Sequence, residues 1–213
     1  MPPPGAAHTT IAPAGVAITK RHSRMRPADP DPAGPGTAGI HNVGMDNLQP
    51  ARTAFPTEDY ARTVQRIRQE GQCFICRVVD RTHRYRHHIV YEDADTIVFL
   101  NRYPTLIGYC LVSPRKHVED WARDLSEAEF LALQSVVHRV ARAIAATVPT
   151  ERMYSLSLGS QQANAHVHWH VAPLPPGVPY DQQEFGSLRK DNGILDLPEA
   201  DQAELARTIR GYL

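Results

Sequence analysis

Beyond about residue 50, apolar and polar positions follow two periods, and the switches between them predict the elements. Tyr60, Val64 and Ile67 fall three or four residues apart, the spacing of one helix face. Thr57 supplies an N-cap before them and Gly71 a stop after them, so a helix is predicted to run to Glu70. The segments 88–91, 96–101 and 109–113 read as strands; the turn-like Glu92-Asp93-Ala94-Asp95 parts the first two, and the third runs into Pro114. A long helix opens on the capping box Ser126-x-x-Glu129. Phe130, Leu133, Val137, Val140, Ala141 and Ile144 keep its spacing until Pro149 ends it. Strands at 153–158 and 166–172 follow, then a helix over 199–212 presenting Leu205 and Ile209. There is no internal repeat. This order, with mostly antiparallel strands and segregated helices, predicts an α+β domain.

Composition changes the picture at the N-terminal end. Nine of the eighteen prolines and six of the thirteen glycines lie in the first fifty residues, with few large apolar side chains. Such a stretch buries too little apolar surface to offset the entropy of ordering it. Residues 1–50 are therefore expected to be a disordered Pro/Gly-rich tail and 51–213 the folded domain. Lys20, Arg21, Arg24 and Arg26 read as a solvated basic patch, with a weak anionic contact site as the alternative; translation starting at Met45 is a further alternative for the tail. Lys and Arg number 23 and Asp and Glu 23, so no net field draws the chain to nucleic acid or a membrane surface. No apolar run approaches the roughly 20 residues that span a bilayer. The N-terminus lacks the charged-then-apolar layout of a secretory leader. Three cysteines are too few for a disulfide framework, and two of them form Cys73-x-x-Cys76. The expectation is a cytoplasmic protein with no nucleic-acid or membrane partner.

The chemistry concentrates in Asn164-Ala165-His166-Val167-His168-Trp169-His170-Val171-Ala172-Pro173. On a strand His166, His168 and His170 share one face, while Val167, Trp169 and Val171 take the other and suit a core. Three imidazoles so close coexist if most stay neutral, bind metal or meet an anion. A His-rich exposed edge and a metal site made by all three are the plainer readings. Cys73 and Cys76 fit a zinc half-site, a redox pair or two buried thiols. Cys110 reads as a small buried side chain.

The His-Val-His-Trp-His-Val-Ala run resembles the signature of the histidine-triad (HIT) family, three histidines separated by single apolar residues and followed by two more. The stretch from Val98 to His117 looks like that family's strand, proline turn, glycine and Leu-Val-x-Pro-x-x-His segment. The likeness covers about residues 73–175, and is to actinobacterial-type nucleotide hydrolases of the dinucleoside polyphosphate hydrolase or phosphorylase kind.

That resemblance implies roles. His168 would attack the α-phosphorus of a nucleoside phosphate conjugate and form a nucleotidyl-histidine, splitting one displacement into two. Imidazole suits this, being neutral and nucleophilic near neutral pH. His170 would serve the phosphate oxygens or the leaving group, with Gln162 as a neighbouring polar contact. Asn101 would bind the ribose hydroxyls, an amide being able both to donate and to accept; a turn-forming Asn is the plainer reading. Phe99 is a candidate wall for the base, with plain core as the alternative. Many relatives carry Ser or Thr where this chain has Ala163, which weakens a nucleoside phosphoramidase reading and leaves Asn164 as a candidate donor. A slow nucleotide-binding regulator is the alternative from another class. Some branches complete a structural zinc site with histidines that here are His117 and His166, joining Cys73 and Cys76. His83, His87 and His88 are a rival supply of ligands that reads better as surface histidines. A homodimer is implied as well, with the helix that begins at Ser126 as an interface element.

Overall fold

A computed structural model of the chain describes residues 50–213 apart from 56, 72, 83–86 and 160–164. The expected disordered tail, and the expected contacts Gln162 and Asn164, therefore lie outside the described residues, apart from Pro50. So do Ala163 and His83.

A short strand β1 (Arg52–Thr53) precedes α1 (Glu58–Glu70), which is capped as predicted. Thr57 Oγ1 accepts from the Tyr60 amide at 3.1 Å, and Gly71 closes the helix in the left-handed region at φ 60°. Helix α2 (Phe74–Val79) follows, which the apolar spacing did not signal; one and a half turns are too short to establish a period. Cys73 is its N-cap, its sulfur accepting from the Cys76 amide at 3.4 Å.

Strands β2 (Ile89–Glu92), β3 (Thr96–Leu100) and β4 (Cys110–Pro114) come next. The short α3 (Trp121–Asp124) leads to α4 (Glu127–Thr147), whose capping box forms in full. Then follow β5 (Arg152–Leu156), β6 (Trp169–Leu174), a short α5 (Phe185–Leu188), β7 (Ile194–Leu195) and α6 (Glu199–Arg210). The central sheet has the order β2-β3-β4-β6-β5 with every pair antiparallel, and β1 pairs separately with β7. This is the α+β architecture expected.

Alternation along the strands splits the core into two layers. Val98, Val112, Trp169 and Val171 face α4 and α6, where Leu133, Val137, Val140, Ile144, Leu205 and Ile209 close the layer. Cys110 belongs to it as a fully buried thiol whose pKa burial raises. Ile97, Phe99, Leu111 and Ala172 face the other way, against Ile75 and Val78 of α2. Histidines of the triad that alternate with Trp169 and Val171 emerge on this second side.

One expected strand is shorter than its pattern. The apolar-polar alternation from His166 onward predicts a strand, yet β6 begins only at Trp169. Its ladder to β4 runs from Cys110↔Val171 to Val112↔Trp169. Past that point other groups take over the backbone. The Ser113 hydroxyl donates to the Val167 carbonyl at 2.8 Å, and the Val167 amide donates to the Val118 carbonyl at 2.8 Å. Side chain and loop replace the ladder, so the alternation persists without strand pairing.

Candidate active site

His166 and His168 precede β6 and His170 lies within it, with His166 and His168 both buried. Their hydrogen bonds decide which nitrogen carries the proton. His168 Nδ1 is 2.6 Å from the His166 carbonyl oxygen. A carbonyl only accepts, so Nδ1 is the protonated nitrogen and Nε2 keeps its lone pair. Burial lowers the pKa of His168, with the bond to the His166 carbonyl opposing it, so the ring is held neutral. The site therefore holds a neutral imidazole of fixed tautomer with its Nε2 lone pair unused.

His170 packs beside it, ring centres 4.8 Å apart. Its pKa is pushed down to about 3, first by burial, then by His168 and Lys190. Its Nδ1 meets the Tyr109 hydroxyl at 2.9 Å. Burial raises the pKa of that phenol, so it keeps its proton; with the hydroxyl donating, His170 Nε2 carries the hydrogen and serves as a donor. Tyr109 was not among the residues singled out from sequence; its place in a strand-like segment gave no sign of polar work. Phe74, the first residue of α2, sets its ring edge-on to His168 at 6.0 Å.

Asn101 follows β3 and is buried. Its Oδ1 accepts from the Tyr103 amide at 3.0 Å, and its own amide donates to the Tyr109 carbonyl at 2.8 Å. The side chain thus builds the turn, and its Nδ2 has no hydrogen bond to a described residue. Phe99, a candidate base wall, is fully buried beneath it and meets His87 edge-on at 5.3 Å. It has no exposed area to offer a ligand: inward alternation in a fully buried strand makes it core. His87 and His88 also turn inward rather than to solvent, the latter with Nε2 3.3 Å from Glu199.

Cys73, Cys76, His117 and His166 converge, their ligand atoms all within 4.8 Å of one another. Cys73 Sγ lies 3.3 Å from His166 Nδ1, and Cys76 Sγ lies 3.2 Å from His117 Nδ1 and 3.6 Å from His166 Nδ1. Tetrahedral zinc with bonds of about 2.3 Å to sulfur and about 2.0 Å to nitrogen needs sulfur–nitrogen edges near 3.5 Å. Both imidazoles are also turned correctly for a metal. His166 Nε2 is 3.0 Å from the Pro114 carbonyl and His117 Nε2 is 3.3 Å from Glu119 Oε1, which leaves both Nδ1 lone pairs to the cluster. The paired thiols fit a cation as well. Burial and the neighbouring Cys73 push the Cys76 thiol up to about 12, a cost that a bound cation removes. The donor set fits zinc.

Residues 83–176 match the family model of the HIT domain. An uncharacterized HIT-like protein of Saccharolobus solfataricus is 28% identical over 117 residues, 53% of this chain and 81% of that protein. Among solved structures, a hypothetical histidine triad nucleotide-binding protein from Sulfolobus tokodaii strain7 is similar at 26% identity and a TM-score of 0.53, over 66% of this chain and 91% of that one. A Zn-bound histidine triad family protein from Mycobacterium smegmatis shares the fold at 23% identity and a TM-score of 0.50, over 67% and 93% of the two chains. The sheet, the triad and these likenesses agree over residues 83–176, the part of the chain that matches the HIT domain model.

Proposed function

We propose that the chain is a nucleotide hydrolase or nucleotidyl transferase that cleaves at the α-phosphorus of a dinucleoside polyphosphate or a related adenosine phosphate conjugate. The observation that carries this reading is the fixed tautomer of His168, a neutral ring with its Nε2 lone pair directed away from its backbone anchor. In the first step Nε2 attacks phosphorus, the phosphorus–oxygen bond to the leaving group breaks, and the leaving group departs with the bonding pair. In the second, water or another acceptor attacks the nucleotidyl-histidine, loses its proton, and the phosphorus–nitrogen bond returns its pair to His168. His170 hydrogen-bonds the phosphate oxygens through Nε2 and stabilises charge as it develops. Asn101 Nδ2 donates to a ribose hydroxyl, and Gln162 and Asn164 supply further polar contacts.

Cys73, Cys76, His117 and His166 would hold a structural zinc in this reading, and a four-residue donor set of this kind would serve structure rather than Lewis-acid chemistry. His166 is then an anchor: its carbonyl accepts the hydrogen bond from His168 Nδ1, and its ring would be held by the metal. The Zn-bound Mycobacterium protein and the Sulfolobus nucleotide-binding protein support the zinc and the nucleotide respectively. A cytoplasmic homodimer completes the proposal.

Purified protein incubated with dinucleoside polyphosphates and adenosine phosphoramidates is expected to release nucleoside monophosphate in many turnovers. Stoichiometric binding of the whole panel with no monophosphate formed would overturn the enzyme reading in favour of a binding regulator.

A further inference from the structure

The turn that leaves Asn101 is held by residues from the two ends of the described chain. Asn101 Oδ1 accepts from the Tyr103 amide at 3.0 Å, so the direction of its Nδ2 follows the place of Tyr103. Residues 102–105 belong to no strand or helix, and distant segments supply their bonds. The Pro104 carbonyl accepts from the Leu195 amide at 2.8 Å, and the Thr105 carbonyl accepts from Arg52 at 3.0 Å. The Tyr103 hydroxyl lies 3.4 Å from Asp59 of α1, and Arg102 reaches the same carboxylate at 3.7 Å.

Tyr103 has a further tie through its ring. Lys190 opens a single 3-10 turn, Lys190–Asn192. Its Nζ lies 4.8 Å from the ring centre of Phe55, 5.4 Å from that of Tyr60 and 5.7 Å from that of Tyr103. The three rings also pack on one another, with centres 4.6 to 5.9 Å apart. Aromatic faces attract a cation through their quadrupoles, so one ammonium draws the three rings together. The turn that carries the lysine is itself fixed: the Gly193 amide donates to the Lys190 carbonyl at 2.9 Å, and Arg52 donates to the Gly193 carbonyl at 3.0 Å.

A continuous path thus runs from the lysine ammonium to the Tyr103 ring, from the Tyr103 amide to Asn101 Oδ1, and from there to the Nδ2 donor. Phe55, Tyr60 and Lys190 all lie outside residues 83–176, so the cage is an addition to the part of the chain similar to the HIT domain model. Hydrogen bonds weaken steeply as distance and angle depart from the optimum, so a turn that drifts carries the Nδ2 donor out of register with a ribose hydroxyl. We infer that Lys190 is a positioning residue for nucleoside recognition: by clamping Tyr103 it fixes the Asn101 amide that meets the ribose, which rests on the ribose role proposed for Asn101 above. Lys190 acts through Tyr103 in this arrangement and needs no contact with substrate.

Calorimetry reads the ribose directly by comparing AMP with 2′,3′-dideoxy-AMP in wild type, Lys190→Ala and Lys190→Arg. Wild type is expected to bind AMP about tenfold more tightly. Emptying the cage lowers that preference about fivefold, and arginine, which also lies well on aromatic faces, restores it. Should Lys190→Ala fail to fold, Lys190→Gln is measured in its place. In an Asn101→Ala background, where the amide is gone, Lys190→Ala is expected to leave the remaining preference unchanged. A preference in Lys190→Ala within about twofold of wild type, an equal loss on both nucleotides, or a further loss in the Asn101→Ala background overturns the inference. Hydrogen exchange of the Tyr103 amide, which donates to Asn101 Oδ1, is read without ligand and is expected to quicken about fivefold in Lys190→Ala. Wild type that binds both nucleotides alike overturns the ribose role of Asn101 instead. The Tyr103 exchange then decides whether Lys190 holds the turn, and an unchanged rate overturns the clamp as well.

Discussion

His168 and His170 differ in what holds them, and the difference can be measured. His168 donates from Nδ1 to the His166 carbonyl, so the nitrogen that keeps its lone pair is selected by a backbone atom. Asparagine can still donate near that position but has no lone pair on nitrogen to attack phosphorus. His168→Asn is therefore expected to abolish turnover, by about 10³-fold or more, while nucleotide binding and melting temperature hold; retained turnover would move the nucleophile elsewhere. His170 carries a different signature. Its folded pKa, about 3, lies below the ordinary value near 6.5. In the pH interval between those two values the unfolded chain binds a proton that the folded chain does not. The neutral ring's contribution is thus complete above about pH 6.5 and declines as pH falls toward 3. His170→Asn should lose less stability than wild type between about pH 7 and pH 4, compared by denaturant midpoints at each pH. Identical pH slopes would show that His170 titrates normally.

Two small elements, set by residues far apart in sequence, can each be tested. The first is the N-terminus of α2, where Cys73 and Cys76 face His117 and His166. About one zinc per chain is expected by elemental analysis, with loss of the metal in Cys73→Ser and a lower melting temperature after chelation. Protein purified without metal and as stable as before would remove the site. The second is the β1–β7 pair, whose entry is Gly193. At φ 87° and ψ 158° this residue occupies a region that side chains avoid, and an added Cβ would stand 2.9 Å from the Thr53 carbonyl oxygen. Gly193→Ala is expected to cost about 2 kcal/mol in chemical denaturation. An unchanged denaturation midpoint would show that the β1–β7 pair yields without cost. Neither element was foreseen as an element. The Cys-x-x-Cys was legible as chemistry because thiol spacing is informative in itself, but α2 is too short for periodicity to register. β1 and β7 have two residues each, below the length at which alternation says anything.

Across the molecule, what sequence disclosed and what it hid divide by range. The long helix α4, the capped α1, the succession of elements along the chain and both faces of the triad were readable because period and capping are local properties. The four-residue Cys/His cluster was reachable only through family resemblance, since Cys73 and His166 are 93 residues apart in sequence. Tyr109 and Lys190 were not reached at all. A tyrosine in a strand and a lysine in a polar stretch look ordinary until the fold sets Tyr109 against His170 and Lys190 among the rings of Phe55, Tyr60 and Tyr103. The C-terminal stretch after Pro173 was equally consistent with a plain surface connection and with a cover for the pocket. Its 3-10 turn at Lys190–Asn192 sets the lysine among the rings of Phe55, Tyr60 and Tyr103, which local pattern does not record.

The pairing of β1 with β7 has a consequence for the order of assembly. Arg52 and Gly193 are 141 residues apart, so their contact closes a loop around almost the whole described chain. Closing a loop of that length gains little until the intervening sheet has shortened the distance between its ends. The central sheet and its helices can form from nearer contacts, and the clasp joins afterwards. On the ribosome, moreover, residues 193–195 emerge late, when the histidines have already been made. The stretch that carries the three histidines is thus assembled first, and the segment that joins the two ends of the described chain is added last.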